Sequence, residues 1–157
     1  MSSIFRFIYK ITYPFVRIFW KIFKPHTKGV KALLIYGNEI LLVKNIGKDY
    51  FMLPGGNLHL FGEDPQKCIT REVREELDIT ITPPFELLET YTSNLEGKKD
   101  TIFVYIIKLE SKEFEKKWEL DDAKWFSINS NDSLISPATK RRIGEYLGGK
   151  KNLNGIW

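Results

Sequence analysis

One cysteine in 157 residues, Cys68, excludes an internal disulfide. The only two histidines, His26 and His59, stand apart, so no His/Cys cluster has the spacing of a zinc site. A lone thiol fits a reducing compartment, which leads us to expect a cytoplasmic protein. Acidic residues are missing locally: residues 1–31 hold seven Lys or Arg and no Asp or Glu. The remainder, with 17 basic against 20 acidic residues, is net −3, so the overall charge of +4 belongs to the N-terminal arm. Repeats and low-complexity tracts are absent as well, and the length suits one domain able to bury an apolar core. We therefore expect an arm over residues 1–27, a catalytic-size domain over 28–150 and a tail over 151–157 of no evident use.

Within the arm, Arg6, Lys10, Arg17, Lys21 and Lys24 fall within about 60° of a helical wheel, and aromatic and aliphatic residues fill most of the rest. This predicts an amphipathic helix that Pro14 kinks or breaks. Charges at nearly every turn argue against a secretory signal and against a spanning helix, where one central charge costs about 3 kcal/mol. Two expectations stand: peripheral contact with an anionic membrane surface through residues 3–24, or packing of the aromatic face on the domain or a second copy as a homodimer. Specific nucleic-acid binding is disfavoured, because the aromatics lie away from the basic stripe instead of interleaving with it.

Past Lys28 the pattern becomes that of a mixed α and β domain. GVKALLIYG and EILLVKN read as strands joined by a Gly37-Asn38 hairpin turn, and KDYFMLPGG as a short strand closed by Pro54 and a glycine pair. Asp64 and Pro65 are the N-cap and first residue of a helix whose Ile69, Val73 and Leu77 make an apolar stripe. FELLETYTSN and DTIFVYIIKLE read as long strands turning near Gly97, followed by DDAKWFSI. Ser136 as N-cap, Pro137, and Gly148-Gly149 bound a final helix.

The chemistry concentrates between Gly55 and Ile79. On the helix, Glu72, Glu75 and Glu76 share an arc of about 100°, where like charges repel unless a hard cation coordinates them. Arg71 at the patch edge can pair with Glu63 and hold the helix against the preceding loop. Taken alone, the REVREE run reads as a solvated face carrying an Arg71–Glu75 ion pair. The succession of Gly55-Gly56, Gly62-Glu63, Arg71-Glu72 and Glu75-Glu76 at fixed spacing reverses that reading.

Here the chain resembles the Nudix hydrolases, whose signature reads G-x5-E-x7-R-E-U-x-E-E-x-G-U, with U aliphatic. Glu63, Arg71, Glu72, Val73, Glu75, Glu76 and Ile79 match it. Two positions depart from it: six residues instead of five separate Gly56 from Glu63, and Asp78 stands where the family has glycine. The resemblance implies an α/β fold, an α/β/α sandwich around a mixed β-sheet, here with an extra N-terminal amphipathic helix.

By the same resemblance, Glu72 and Glu76 are the principal ligands of Mg²⁺ or Mn²⁺. Glu75 shares the site, the Gly55 carbonyl contributes from the turn, and Glu119 is the candidate for a further acidic ligand. One carboxylate orients or deprotonates water, with Arg71 and Glu63 in support. The implied reaction is metal-dependent hydrolysis of a diphosphate linkage in a nucleotide-type small molecule, since phosphoric anhydrides need cations to neutralise their oxygens. Gly56, Asn57, His59 and Tyr50 are candidates for substrate contact, His59 and Tyr50 having plain loop or core roles as alternatives. Nucleoside triphosphates, sugar nucleotides and capped RNA ends stay equally open as substrates. The competing expectation is a non-catalytic nucleotide-binding sensor or scaffold anchored by the arm.

Overall fold

The computed structural model describes residues 26–59, 62–93, 99–149 and 155–157. The expected arm helix and the expected membrane or dimer contacts through residues 3–24 fall outside these, as does the expected turn around Gly97. Six strands form one sheet: β1 (His26–Tyr36), β2 (Glu39–Asn45), β3 (Glu86–Ser93), β4 (Lys99–Lys108), β5 (Leu120–Ser127) and β6 (Gly155–Ile156), in the order β5-β2-β1-β4-β3-β6. The sheet is mixed. β1 runs parallel to β4 through ten residue pairs, while β1–β2, β2–β5 and β3–β4 are antiparallel. Helices α1 (Pro65–Leu77) and α2 (Pro137–Leu147) complete it. Among the described residues no helix is long and apolar enough to cross a membrane.

Side-chain parity places the helices on opposite faces. Val30, Ala32 and Leu34 of β1 pack with Tyr105 and Ile107 of β4 and with Cys68, Ile69, Val73 and Leu77 of α1. Leu33 and Ile35 pack with Val104 and Ile106 and with Ile143 of α2. Both faces of β1 and β4 are thus covered, which accounts for their nearly unbroken apolar runs. The result is the expected α/β/α sandwich around a mixed sheet.

Local chemistry sets the boundaries. Gly37, at φ 56, is the first of two central residues in the β1–β2 turn, where glycine is favoured when the first position is left-handed. Asp64 caps α1 by accepting from the N–H groups of Gln66 and Lys67 at 2.9 and 3.1 Å, with Pro65 at the first helical position. At the other end Asp78 adopts φ 57, ψ 24, and its N–H donates to the Arg74 carbonyl. The left-handed cap that glycine supplies elsewhere is formed here by a residue that tolerates it at a cost. Asp78→Gly is expected to raise stability by about 0.5–1 kcal/mol, because the exposed Asp78–Lys117 pair it removes contributes little. The denaturation midpoint checks this, and a lowered midpoint would show that the Lys117 pair matters more than the cap.

Two expectations are corrected. KDYFMLPGG forms no strand: Met52 bridges Val43 and Phe51 bridges Ile135, after which Pro54 lacks an N–H and Gly55 turns to φ 124. β1 begins at His26, three residues before the expected strand GVKALLIYG. The tail, whose use the sequence leaves open, supplies β6, parallel to β3 through Tyr91 and Thr92, and Trp157 donates its N–H to the Thr92 carbonyl. The Trp157 ring lies edge-on to Tyr91 at 5.9 Å, so the chain end closes the edge strand.

Candidate active site

The glycine turn is fastened to β1 by its backbone. Val30 N–H donates to the Gly56 carbonyl at 2.9 Å and Ala32 N–H to the Pro54 carbonyl at 3.0 Å. The intervening Gly55 N–H donates to the Glu76 carboxylate at 2.9 Å, and its carbonyl accepts from Lys31 Nζ at 2.6 Å. Gly55 is required by space, whereas Gly56 lies against the flexible end of a side chain. A Cβ on Gly55 would lie 2.4 Å from the Val30 carbonyl oxygen, and one on Gly56 would lie 2.5 Å from the Glu72 carboxylate. Glu72 and Glu76 therefore reach the two successive residues of one turn.

Glu76 is 6% exposed. Burial pushes its carboxyl up to about 7 from the ordinary 4.5, against the pull of Lys31 and the Gly55 N–H, and the charges of Glu72 and Glu119 push the same way as burial. Lys31 shows the converse: burial lowers its pKa, while Glu76 and Glu72 favour its charge.

Arg71 organises the other side. Its Nε and Nη2 donate to both oxygens of Glu63 at 3.0 and 3.1 Å, a two-point pairing that ties α1 to the loop. Its Nη1 donates to Glu72 at 2.8 Å and to Glu75 at 2.9 Å. This guanidinium holds the Glu63 carboxyl at about 2, and Glu63 also accepts from the His59 backbone N–H at 3.1 Å. Cys68 lies beneath, fully buried, its thiol donating to the Asn57 carbonyl. Burial, with Glu63 nearby, pushes that thiol up to about 12, so it is protonated at neutral pH and no nucleophile.

The helix carries all three glutamates on one side, yet their carboxylates divide. Glu76 turns inward to Gly55 and Glu72 lies against Gly56, whereas Glu75 is half exposed, held by Arg71, and lines a groove of about 550 Å³ with Lys67, Arg74 and Lys117. That groove includes neither Glu72, Glu76 nor Gly55, so the convergent carboxylates lie outside it. Among the described residues no three acidic, histidine or cysteine side chains close around one point.

Glu119 sits in an exposed turn whose preceding segment docks on the end of α1, with Glu115 and Lys117 N–H groups donating to the Leu77 and Glu76 carbonyls at 2.9 and 3.0 Å. Its charge reaches Glu76. Asn57 and His59 are exposed, and their recorded contacts to Arg71 and Glu63 are through backbone. Of the Tyr50-Phe51 pair, Tyr50 is half exposed, while Phe51 is core, edge-on to Phe126 at 5.0 Å. Lys31 is the residue that sequence reasoning missed. Its signal was a lysine inside the apolar run of β1.

Solved structures with this architecture include a MutT NUDIX hydrolase from Burkholderia pseudomallei, 22% identical, covering 76% of this chain and 96% of that one, with a TM-score of 0.65. The MutT protein from Methanosarcina mazei Go1 is 23% identical, with 82% and 96% covered and a TM-score of 0.67. A UDP-X diphosphatase is 27% identical, with 82% of this chain and 65% of that one covered and a TM-score of 0.64. The family described as NUDIX domain matches residues 25–145, well over half of the sequence, and on that match the chain belongs to the Nudix hydrolases.

Proposed function

We propose that this protein hydrolyses a diphosphate linkage in a nucleoside diphosphate-linked small molecule, with Mg²⁺ or Mn²⁺ as cofactor. The observation that carries this reading is the pair of carboxylates, Glu72 and buried Glu76, set against successive glycines of one turn, with the Gly55 carbonyl beside them. All of these donors are oxygen, which suits a hard divalent cation. Two carboxylates and a carbonyl make an open set. That is compatible with Mg²⁺, which keeps several waters and completes its shell with substrate phosphates. The likeness to a UDP-X diphosphatase adds support for a nucleoside diphosphate derivative.

In this reading Glu72, Glu76 and the Gly55 carbonyl hold the cation, with Glu75 and Glu119 sharing the site. Once bound there, the cation supplies neutralisation of phosphate oxygens and a nucleophilic water at neutral pH. One glutamate positions that water or accepts its proton. Arg71, braced by Glu63, fixes Glu72 and Glu75 in their rotamers. Gly56, Asn57, His59 and Tyr50 border the substrate.

The test is release of phosphate or pyrophosphate from a panel of nucleoside diphosphate derivatives. Turnover is expected with Mg²⁺ or Mn²⁺, with a loss to background in EDTA and recovery on adding either metal back. Nucleotide binding without turnover on any compound would favour the sensor reading instead.

For the arm, the sequence supports a cytoplasmic protein in peripheral contact with anionic membrane, or self-associating through residues 3–24. The full chain, and not a chain starting at His26, is expected to co-sediment with anionic vesicles. A dimer of the full chain that ignores vesicles would assign the arm to self-association.

A further inference from the structure

The proposed reaction leaves Lys31 unused, although it touches the centre of the site. Lys31 shares a strand face with Leu33 and Ile35, yet its side chain runs to the glycine turn and Nζ donates to the Gly55 carbonyl at 2.6 Å. The neighbouring Pro54 and Gly56 carbonyls are taken by β1 N–H groups, so Gly55 offers the one carbonyl of these three that β1's backbone does not hold. The charges of Glu76 and Glu72 both act on Lys31. An ammonium here holds the carbonyl that a divalent ion would use and feels the charge of both carboxylates. It is a compact point charge with three donors on a flexible stem, able to withdraw without moving the backbone.

We propose that Lys31 is the resident counter-cation of the carboxylate site: it holds Gly55 O and offsets Glu72 and Glu76 in the metal-free protein, and every divalent ion binds in competition with it. The inference rests on the metal-site reading above. Its consequence is a site that stays folded and neutralised without metal and binds metal more weakly than its ligands alone would allow.

The experiment is calorimetric titration of the full chain with MnCl₂ alone, without nucleotide, at one fixed pH, for the wild type, Lys31→Met, Lys31→Arg and Glu76→Gln. Lys31→Met is expected to bind Mn²⁺ about tenfold more tightly, since one positive charge leaves the site. Its metal-free form is expected to unfold at a lower temperature and to gain more from Mn²⁺ than the wild type does. Lys31→Arg, which keeps the charge, is expected to stay within a few-fold of wild type. Equal or weaker Mn²⁺ binding by folded Lys31→Met, with Glu76→Gln binding lost, would overturn the role of Lys31 and leave the metal site standing. Mn²⁺ binding that ignores Glu76→Gln would overturn both. Should Lys31→Met fail to unfold cooperatively, Lys31→Gln carries the same comparison.

Discussion

Glu76→Gln is expected to lower kcat by about 10³-fold while making the metal-free protein more stable at pH 8. The activity loss follows from removing the charge on the most buried of the site's carboxylates. The stability gain follows from the same burial. Because the fold raises the Glu76 carboxyl to about 7 from 4.5, it favours the neutral form. The group's contribution is complete below about pH 4.5 and is lost as pH climbs through 7, a difference of up to about 3 kcal/mol. Glutamine cannot ionise and escapes that loss. Glu63 works in the opposite direction: held at about 2 by Arg71, it stabilises above pH 4.5, and its contribution fades as pH falls toward 2. On these two groups the metal-free wild type is most stable near pH 4.5–5. Urea midpoints at pH 5 and pH 8, read beside kcat, check the whole argument. A variant retaining wild-type turnover, or gaining no stability at pH 8 relative to pH 5, would remove Glu76 from its assigned place.

That combination separates a functional residue from a structural one. A buried carboxylate kept for packing would, on substitution, lose stability with or before activity. One kept for a cation strains the metal-free fold and is relieved by the neutral isostere. Lys31 offsets part of the strain, which is why its removal is expected to act in the opposite sense to that of Glu76.

What could be read from residues alone follows from the range of the interactions. The β1–β2 hairpin was legible because Gly37-Asn38 is a local turn signal. The limits of α1 were legible because Asp64, Pro65 and Asp78 act within one helical turn. The two faces of β1 and β4 were not legible, since both strands are buried in unbroken runs that show no alternation. β6 was not legible, since two residues gain strand geometry only when the β3 edge is free to receive them. Nor could a helical wheel foresee that Glu75 parts from Glu72 and Glu76. The wheel gives the direction of each Cβ, whereas the Glu75 carboxylate is placed by Arg71, which Glu63 in turn anchors from the loop. Lys31 escaped notice for the same reason. Its partner lies 24 residues further along the chain.

The two glycines of the turn are expected to fail in different ways when each is given a single methyl group. Gly55→Ala places Cβ 2.4 Å from the Val30 carbonyl oxygen and 3.1 Å from Lys31 Cα and Ile69 Cδ1, at φ 124, where L-residues are strained whatever the space. The obstacle is the backbone of β1, buried between both core faces, and it cannot yield without parting the sheet from the turn. A loss of about 3–5 kcal/mol is expected, as for other combinations of backbone strain and overpacking. Gly56→Ala instead meets the Glu72 carboxylate at 2.5 Å, the far end of a flexible side chain that can swing aside. Its denaturation midpoint should stay within about 1 kcal/mol of wild type. Mn²⁺ affinity and kcat should each fall by at least about tenfold, because the Glu72 carboxylate no longer lies against the turn. Thermal unfolding and Mn²⁺ titration of both variants separate the outcomes. A Gly56→Ala protein with unaltered metal affinity would mean that the position of Glu72 against the turn is packing and not ligation.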